Sequence, residues 1–136
     1  MIAVDTSAII AIIFNEPERH EFVTSILGAY KALVSTVSVV EAKMVVHARR
    51  GVAAVVLVDD LLNSPNFEIT PPTLEDVNAA FSAHLVYGKG SGHRAALNFG
   101  DVFSYALAKN RNLPLLYKGN DFAETDLRPA VPKLST

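Results

Sequence analysis

Apolar positions recur along this chain in two alternating rhythms. Short, nearly continuous apolar runs at Ile2–Asp5, "KALVST" (31–36), "FEIT" (67–70) and "LPLLY" (113–117) read as strands. Between them the spacing lengthens to that of helices. "TSAIIAIIF" suits a buried helix, and Phe22, Ile26 and Leu27 mark one face of a second helix in "EPERHEFVTSILGAY", with Gly28 near its end. "SVVEAKMVVHARRG" is a helix closed by basic residues and Gly51, and "VAAVVLVDDLLNS" is a further helix that stops at Pro65. After Pro71 and Pro72, "TLEDVNAAFSAHLVYG" starts a helix on a Thr73…Asp76 capping box. The last long helix spans Asn98 to Asn112, and "AVPKL" (130–134) reads as a short edge strand.

Strands of this length separated by helices imply right-handed βαβ units, hence an α/β fold with a mainly parallel sheet covered on both faces. The two consecutive helices at 38–64 predict a projecting hairpin. At 136 residues the chain is expected to form one domain, and with half its residues hydrophobic it can close a core. It has no Cys, which excludes disulfides, thiolate metal sites and a Cys nucleophile. A net charge of -2 is not that of a general nucleic-acid coat, although it leaves room for an enzyme with its own local cations. The longest apolar run, Ala8–Phe14, is far short of the ~20 residues of a membrane span. No basic stretch precedes it, so the chain reads as complete, soluble and cytoplasmic.

The candidate chemistry lies in four acids. In open parallel sheets, ligands bind beyond the C-terminal strand ends, where helix N-termini also point. Asp5 ends the first strand. Glu41 lies in the first turn of the helix after the second strand, three residues past Ser38. Asp101 opens the last helix beside Gly100, and Asp121 follows the fourth strand in "YKGND". Each has an ordinary structural use: Asp5 as an N-cap, Ser38–Glu41 and Asn98–Asp101 as capping boxes, Asp121 as a turn residue. Together they mean more. Two unit charges about 4 Å apart repel by roughly 4 kcal/mol at an effective dielectric of about 20. A convergent set therefore calls for a cation, and oxygen-only donors at an open site suit Mg²⁺, with Mn²⁺ as a substitute.

In "VDTSAIIAIIFNEPE", "STVSVVEA", "LNFGDVFSYALAKN" and "LPLLYKGNDFAETD" the chain resembles the PIN-domain ribonucleases, specifically the VapC toxins of toxin–antitoxin pairs. The resemblance runs through nearly the whole sequence. It implies a three-layer α/β/α sandwich and metal-dependent hydrolysis of RNA by an activated water. It assigns the metal-binding, catalytic acids to Asp5, Glu41, Asp101 and Asp121, with Ser7 orienting a carboxylate. Many PIN domains carry Thr and a further acid before the final "DF", where this chain has "YKGNDF", so Asp126 in "ETD" stands as the alternative fourth acid. The resemblance also implies a homodimer and a VapB-type antitoxin seated in an apolar groove, for which Val45, Val46, Val55, Val56 and Val58 are candidates if they are not core.

Candidate RNA-binding cations are Lys118, Arg94, Lys89 and Arg49, with Arg50 and His93 nearby; solvated surface charge is the ordinary reading of each. The segment "GKGSG" lacks the spacing and the preceding strand of a phosphate loop and reads as a flexible loop beside the substrate channel. Two other functions fit parts of the pattern. A receiver-like Mg²⁺ phosphoacceptor needs paired acids after strand one and an Asp ending a middle strand. A catalytically inactive interaction module would keep the fold without the chemistry.

Overall fold

The computed structural model describes residues 1–132. Its centre is a parallel sheet of four strands, β1 (Ile2–Val4), β2 (Ala32–Ser35), β3 (Phe67–Thr70) and β4 (Leu115–Leu116), in the order β3-β2-β1-β4. Register is set by Ile2 opposite Ala32, Ala3 opposite Leu115, and Ala32 opposite Phe67. Successive strand residues point to opposite faces, so the sheet divides the interior into two apolar layers. Ile2, Val4, Ala32, Val34 and Leu116 pack on one side; Ala3, Leu33 and Leu115 pack on the other.

The first layer is built by α1 (Thr6–Ile13), α2 (Arg19–Gly28), α3 (Thr36–Arg50) and α4 (Val56–Leu62), the second by α5 (Leu74–Tyr87) and α6 (Phe99–Arg111). This is the expected three-layer sandwich. The α3–α4 hairpin turns at Gly51 (φ 84°), a conformation suited to glycine, and continues through a short 3-10 turn at Val52–Val55. Its inner side joins the core: Val46 and Val58 are fully buried, Val45 and Val55 half-buried, and Val56 exposed.

Several boundaries differ from the sequence reading: the helix expected from Val52 starts as a 3-10 turn and is α-helical only over Val56–Leu62, and the fourth strand is Leu115–Leu116 rather than 113–117. Helix α3 begins at Thr36 rather than Ser38, because Ser35 both ends β2 and caps the helix, its Oγ accepting from Val37 N at 3.2 Å. Ser38 is therefore not a cap but a buried contact with Ser104, their hydroxyls 3.3 Å apart. The expected strand at 130–134 falls partly on residues 133–136, outside the described residues. Within them the segment makes only a bridge at Pro129, where Leu115 N donates to Arg128 O at 2.9 Å and Ala130 N donates to Leu115 O at 2.8 Å. Pro132 lacks the N–H that the next bond of a parallel ladder with β4 would need. The loop at 88–98 is tied at its base by Gly88 and Leu97, with Ala95 and Leu97 buried. No helix of the described residues is long and apolar enough to cross a membrane.

The α5–α6 layer is locked by Asp76. Its carboxylate closes the capping box with Thr73 and accepts from Asn110 at 2.8 Å and Arg111 at 3.0 and 3.1 Å. Burial raises its pKa, but these donors outweigh burial and bring it from 3.8 down to about 2. A carboxyl group with a depressed pKa stabilises the fold above its unfolded value and ceases to do so as pH falls through the folded one. Asp76→Asn should therefore lower unfolding free energy by on the order of 2 kcal/mol at pH 7. In urea titrations the gap to wild type should narrow between pH 4 and pH 2.

Candidate active site

The C-terminal ends of β1, β2 and β4 meet the first turns of α1, α3 and α6 at one edge. Asp5 leaves β1 and caps α1: its Oδ2 accepts from Ser7 N at 3.0 Å and from Ser7 Oγ at 2.7 Å. The Ser7 hydroxyl in turn accepts from Lys118 N at 3.0 Å, joining the end of β4 to the Asp5 carboxylate. Asp5 is 3% exposed and its Oδ1 is buried without a partner. On α6, Asp101 completes a capping box with Asn98. Asp101 Oδ2 accepts from Asn98 N at 3.0 Å, and Asn98 Oδ1 accepts from Asp101 N at 2.9 Å.

Glu41 reaches the same place from the second turn of α3, since that helix starts two residues earlier than expected. The Ser38–Ser104 contact lies one turn before Glu41 and one turn after Asp101, and so fixes α3 against α6 with the two acids facing each other. Asp121 stands at the exposed rim, leading into a 3-10 turn at Phe122–Glu124 anchored by the buried Phe122 ring.

These acids interact. Burial first, then the charges of Asp5, Asp121 and Glu41, push Asp101 from 3.8 up to about 7, against the opposing Asn98 N–H. Glu41 is raised chiefly by burial and further by the Asp5 charge, while the adjacent Thr6 hydroxyl offsets part of the rise. Thr6 Oγ1 is itself buried and outside hydrogen-bond geometry. Among the described residues, no three Asp, Glu or His side chains already surround a common point at ligating distance. The donor set suits a hard divalent cation: oxygens only, one buried and unpartnered at Asp5, others on Asp101 and Glu41, and a rim acid at Asp121.

Most of the remaining candidates are engaged elsewhere. Asp126 accepts from Tyr105 Oη and Lys109 Nζ, both at 2.6 Å. Burial raises its pKa, but these two donors outweigh that and lower it; it is not among the acids that act on Asp101. Lys118 Nζ pairs with Glu16 at 3.3 Å and Glu18 at 3.2 Å, and Arg94 pairs with Glu124 at 3.3 Å. Arg49 and Arg50 lie over the Phe14 ring, 5.1 and 5.0 Å from its centroid. His93 Nδ1 accepts from Ala95 N at 3.0 Å within its loop. Lys89 makes no ion pair among the described residues and lines an apolar groove with Phe81, Leu97 and Phe99. Sequence reasoning missed Thr6 and Ser104, small polar residues in apolar helices whose only signal was their spacing from Asp5 and Asp101.

The PIN-domain profile matches residues 2–127. Ribonuclease VapC28 of Mycobacterium tuberculosis is 38% identical over 130 residues, covering 96% of this chain and 98% of the relative. This chain belongs to the PIN-domain family, in its VapC ribonuclease branch. The fold agrees with solved structures of that kind. The M. tuberculosis toxin VapC20, described as cleaving the sarcin-ricin loop, superposes with a TM-score of 0.74 at 18% identity, covering 95% of this chain and 100% of that one. VapBC2 of Rickettsia felis, solved on a promoter DNA fragment, gives a TM-score of 0.74 at 14% identity, with 95% and 97% covered. Family membership displaces the receiver-like alternative.

The raised pKa of Asp101 carries a sign that can be measured. A carboxyl group whose folded pKa exceeds its unfolded value destabilises the fold as pH rises between the two. In EDTA, wild-type stability should fall from about pH 4 to about pH 7. Asp101→Asn, which keeps a hydrogen-bond acceptor without the charge, should be more stable than wild type at pH 8 by at least about 1 kcal/mol. Thermal melts of the two proteins should draw together below about pH 4.

Proposed function

We propose that this PIN domain is a Mg²⁺-dependent endoribonuclease, with Mn²⁺ as a substitute, acting in the cytoplasm as the toxin of a toxin–antitoxin pair. The supporting observation is that Asp5, Glu41 and Asp121 stand close enough to Asp101 at one strand edge for their charges to act on it, in a VapC-branch chain. Asp5, Asp101 and Glu41 would hold the ion, with Asp121 at the rim. Such an ion supplies Lewis-acid polarisation of a phosphoryl oxygen and makes a water acidic enough to attack at neutral pH. Ser7 and the Lys118 N–H keep the Asp5 carboxylate from turning away, and the Asn98–Asp101 box does the same on α6. Glu41 and Asp121, the two acids that are not caps, are free to orient a water or accept its proton. Structured RNA, tRNA or rRNA, is the proposed substrate class, the VapC20 relative being described as acting on the sarcin-ricin loop.

The proposed partners are a second copy of the chain and a VapB-type antitoxin. Their support is an apolar surface on either side of the acids. Val37, Val40, Met44 and Val45 line one groove with Glu41 and Phe99; Val77, Phe81 and Phe103 line another across the Phe99 ring. An antitoxin segment laid in such a groove could bring a basic side chain to the acids.

Purified protein should cleave RNA only with Mg²⁺ or Mn²⁺, and EDTA should stop it. Asp5→Asn and Asp101→Asn should each reduce cleavage to background while circular dichroism stays that of wild type. Full cleavage by both variants, or cleavage indifferent to EDTA, would reject the reading.

A further inference from the structure

Gly100 is buried in the first turn of α6, directly before Asp101. Its backbone is outside the positive-φ region, so no unusual conformation calls for glycine. In a helix, alanine is the more favourable residue, because glycine loses more freedom on folding. What the position excludes is a side chain. A methyl group there would lie 2.6 Å from Glu41 Oε1 and closer still to Cδ and Oε2 of the same carboxylate. Those three atoms are its nearest neighbours, and none belongs to the backbone.

We infer that Gly100 is a positioning residue: its missing side chain is the seat that holds the Glu41 carboxylate against α6, beside Asp101 and within reach of the Asp5 charge. This deepens the ribonuclease reading and rests on it. The groove that Glu41 borders, lined by Val37, Val40, Met44 and Phe99, offers the carboxylate somewhere else to go. A flexible side chain swinging into that groove strains the fold little. Gly100→Ala therefore separates the site from the fold.

The test is a double-mutant cycle on Gly100→Ala and Glu41→Ala, read by Mn²⁺ calorimetry on the metal-free protein, RNA cleavage and thermal melting. Gly100→Ala should bind Mn²⁺ and cleave RNA at least roughly tenfold less well than wild type, the scale of lost support behind a metal ligand. Its melting temperature should equal or exceed that of wild type. In the Glu41→Ala background the same change should cost nothing further, and if the single variant melts early, the double variant should recover. Wild-type Mn²⁺ affinity in Gly100→Ala would overturn the inference, as would an equal loss with or without Glu41, or an early melt that the double variant does not repair. A wild-type protein that binds no Mn²⁺ and cleaves no RNA would remove the ribonuclease reading as well, and the wild-type control alone identifies that case.

Discussion

Carboxylates do not gather out of water by preference, and the edge of this sheet forces several of them to do so. Removing an ionised carboxyl group from water is costly, and a second one nearby adds repulsion. The backbone imposes the arrangement because Asp5 and Asp101 are tied to helix starts and a third acid is carried in by helix packing. Asp5 caps α1, Asp101 closes the Asn98 box of α6, and the Ser38–Ser104 contact brings α3 in with Glu41. Each cap involves one carboxylate oxygen. The other oxygen of Asp5 is left buried and bare, and the Asp101 cap uses Oδ2 alone. One half of each side chain folds the protein and the other half is available for chemistry.

That division explains why single-residue reasoning about these acids was indecisive. Capping and ligation are rivals when a residue is treated as one unit. They cease to be rivals when its two oxygens are counted separately. The expected capping box at Asn98–Asp101 is present, and so are the charges of the other acids upon Asp101. Glu41 is the reverse case: the anticipated box at Ser38 is absent, and the carboxylate is free of the helix terminus altogether. The join between β2 and α3 hides this from the sequence, because Ser35 ends the strand and caps the helix with no intervening turn residue.

The elements themselves were legible because their signals are local. Alternating layers, the Thr73–Asp76 box and Gly51 at the α3 terminus all depend on neighbours in sequence. The choice between Asp121 and Asp126 was not, since five residues separate them and both follow β4. What separates their surroundings is Tyr105 and Lys109, one turn apart on α6, whose donors hold Asp126 at 2.6 Å. The RNA-binding cations were equally opaque. Lys118 looks well placed at a strand end, yet Glu16 and Glu18 come from the α1–α2 connection to meet it. The lysine and both acids are half-buried, so a phosphate would have to displace two carboxylates to reach the ammonium group.

The apolar surface follows from the same geometry. Phe99 stands at the lip of the acid cluster, 75% exposed, with Val40, Met44 and Phe81 also more than half exposed. The core does not require these side chains, for both layers close without them. An extended apolar surface beside a charged cleft suits partners that cover the first and neutralise the second. Gly100 lies at the junction, its missing side chain leaving room for Glu41, a carboxylate that borders the Val40–Met44 groove and acts on Asp101. A ligand in that groove would press on an acid of the site through a single side chain. Occupancy of the apolar surface and the position of Glu41 would then be coupled, with no movement of the sheet required.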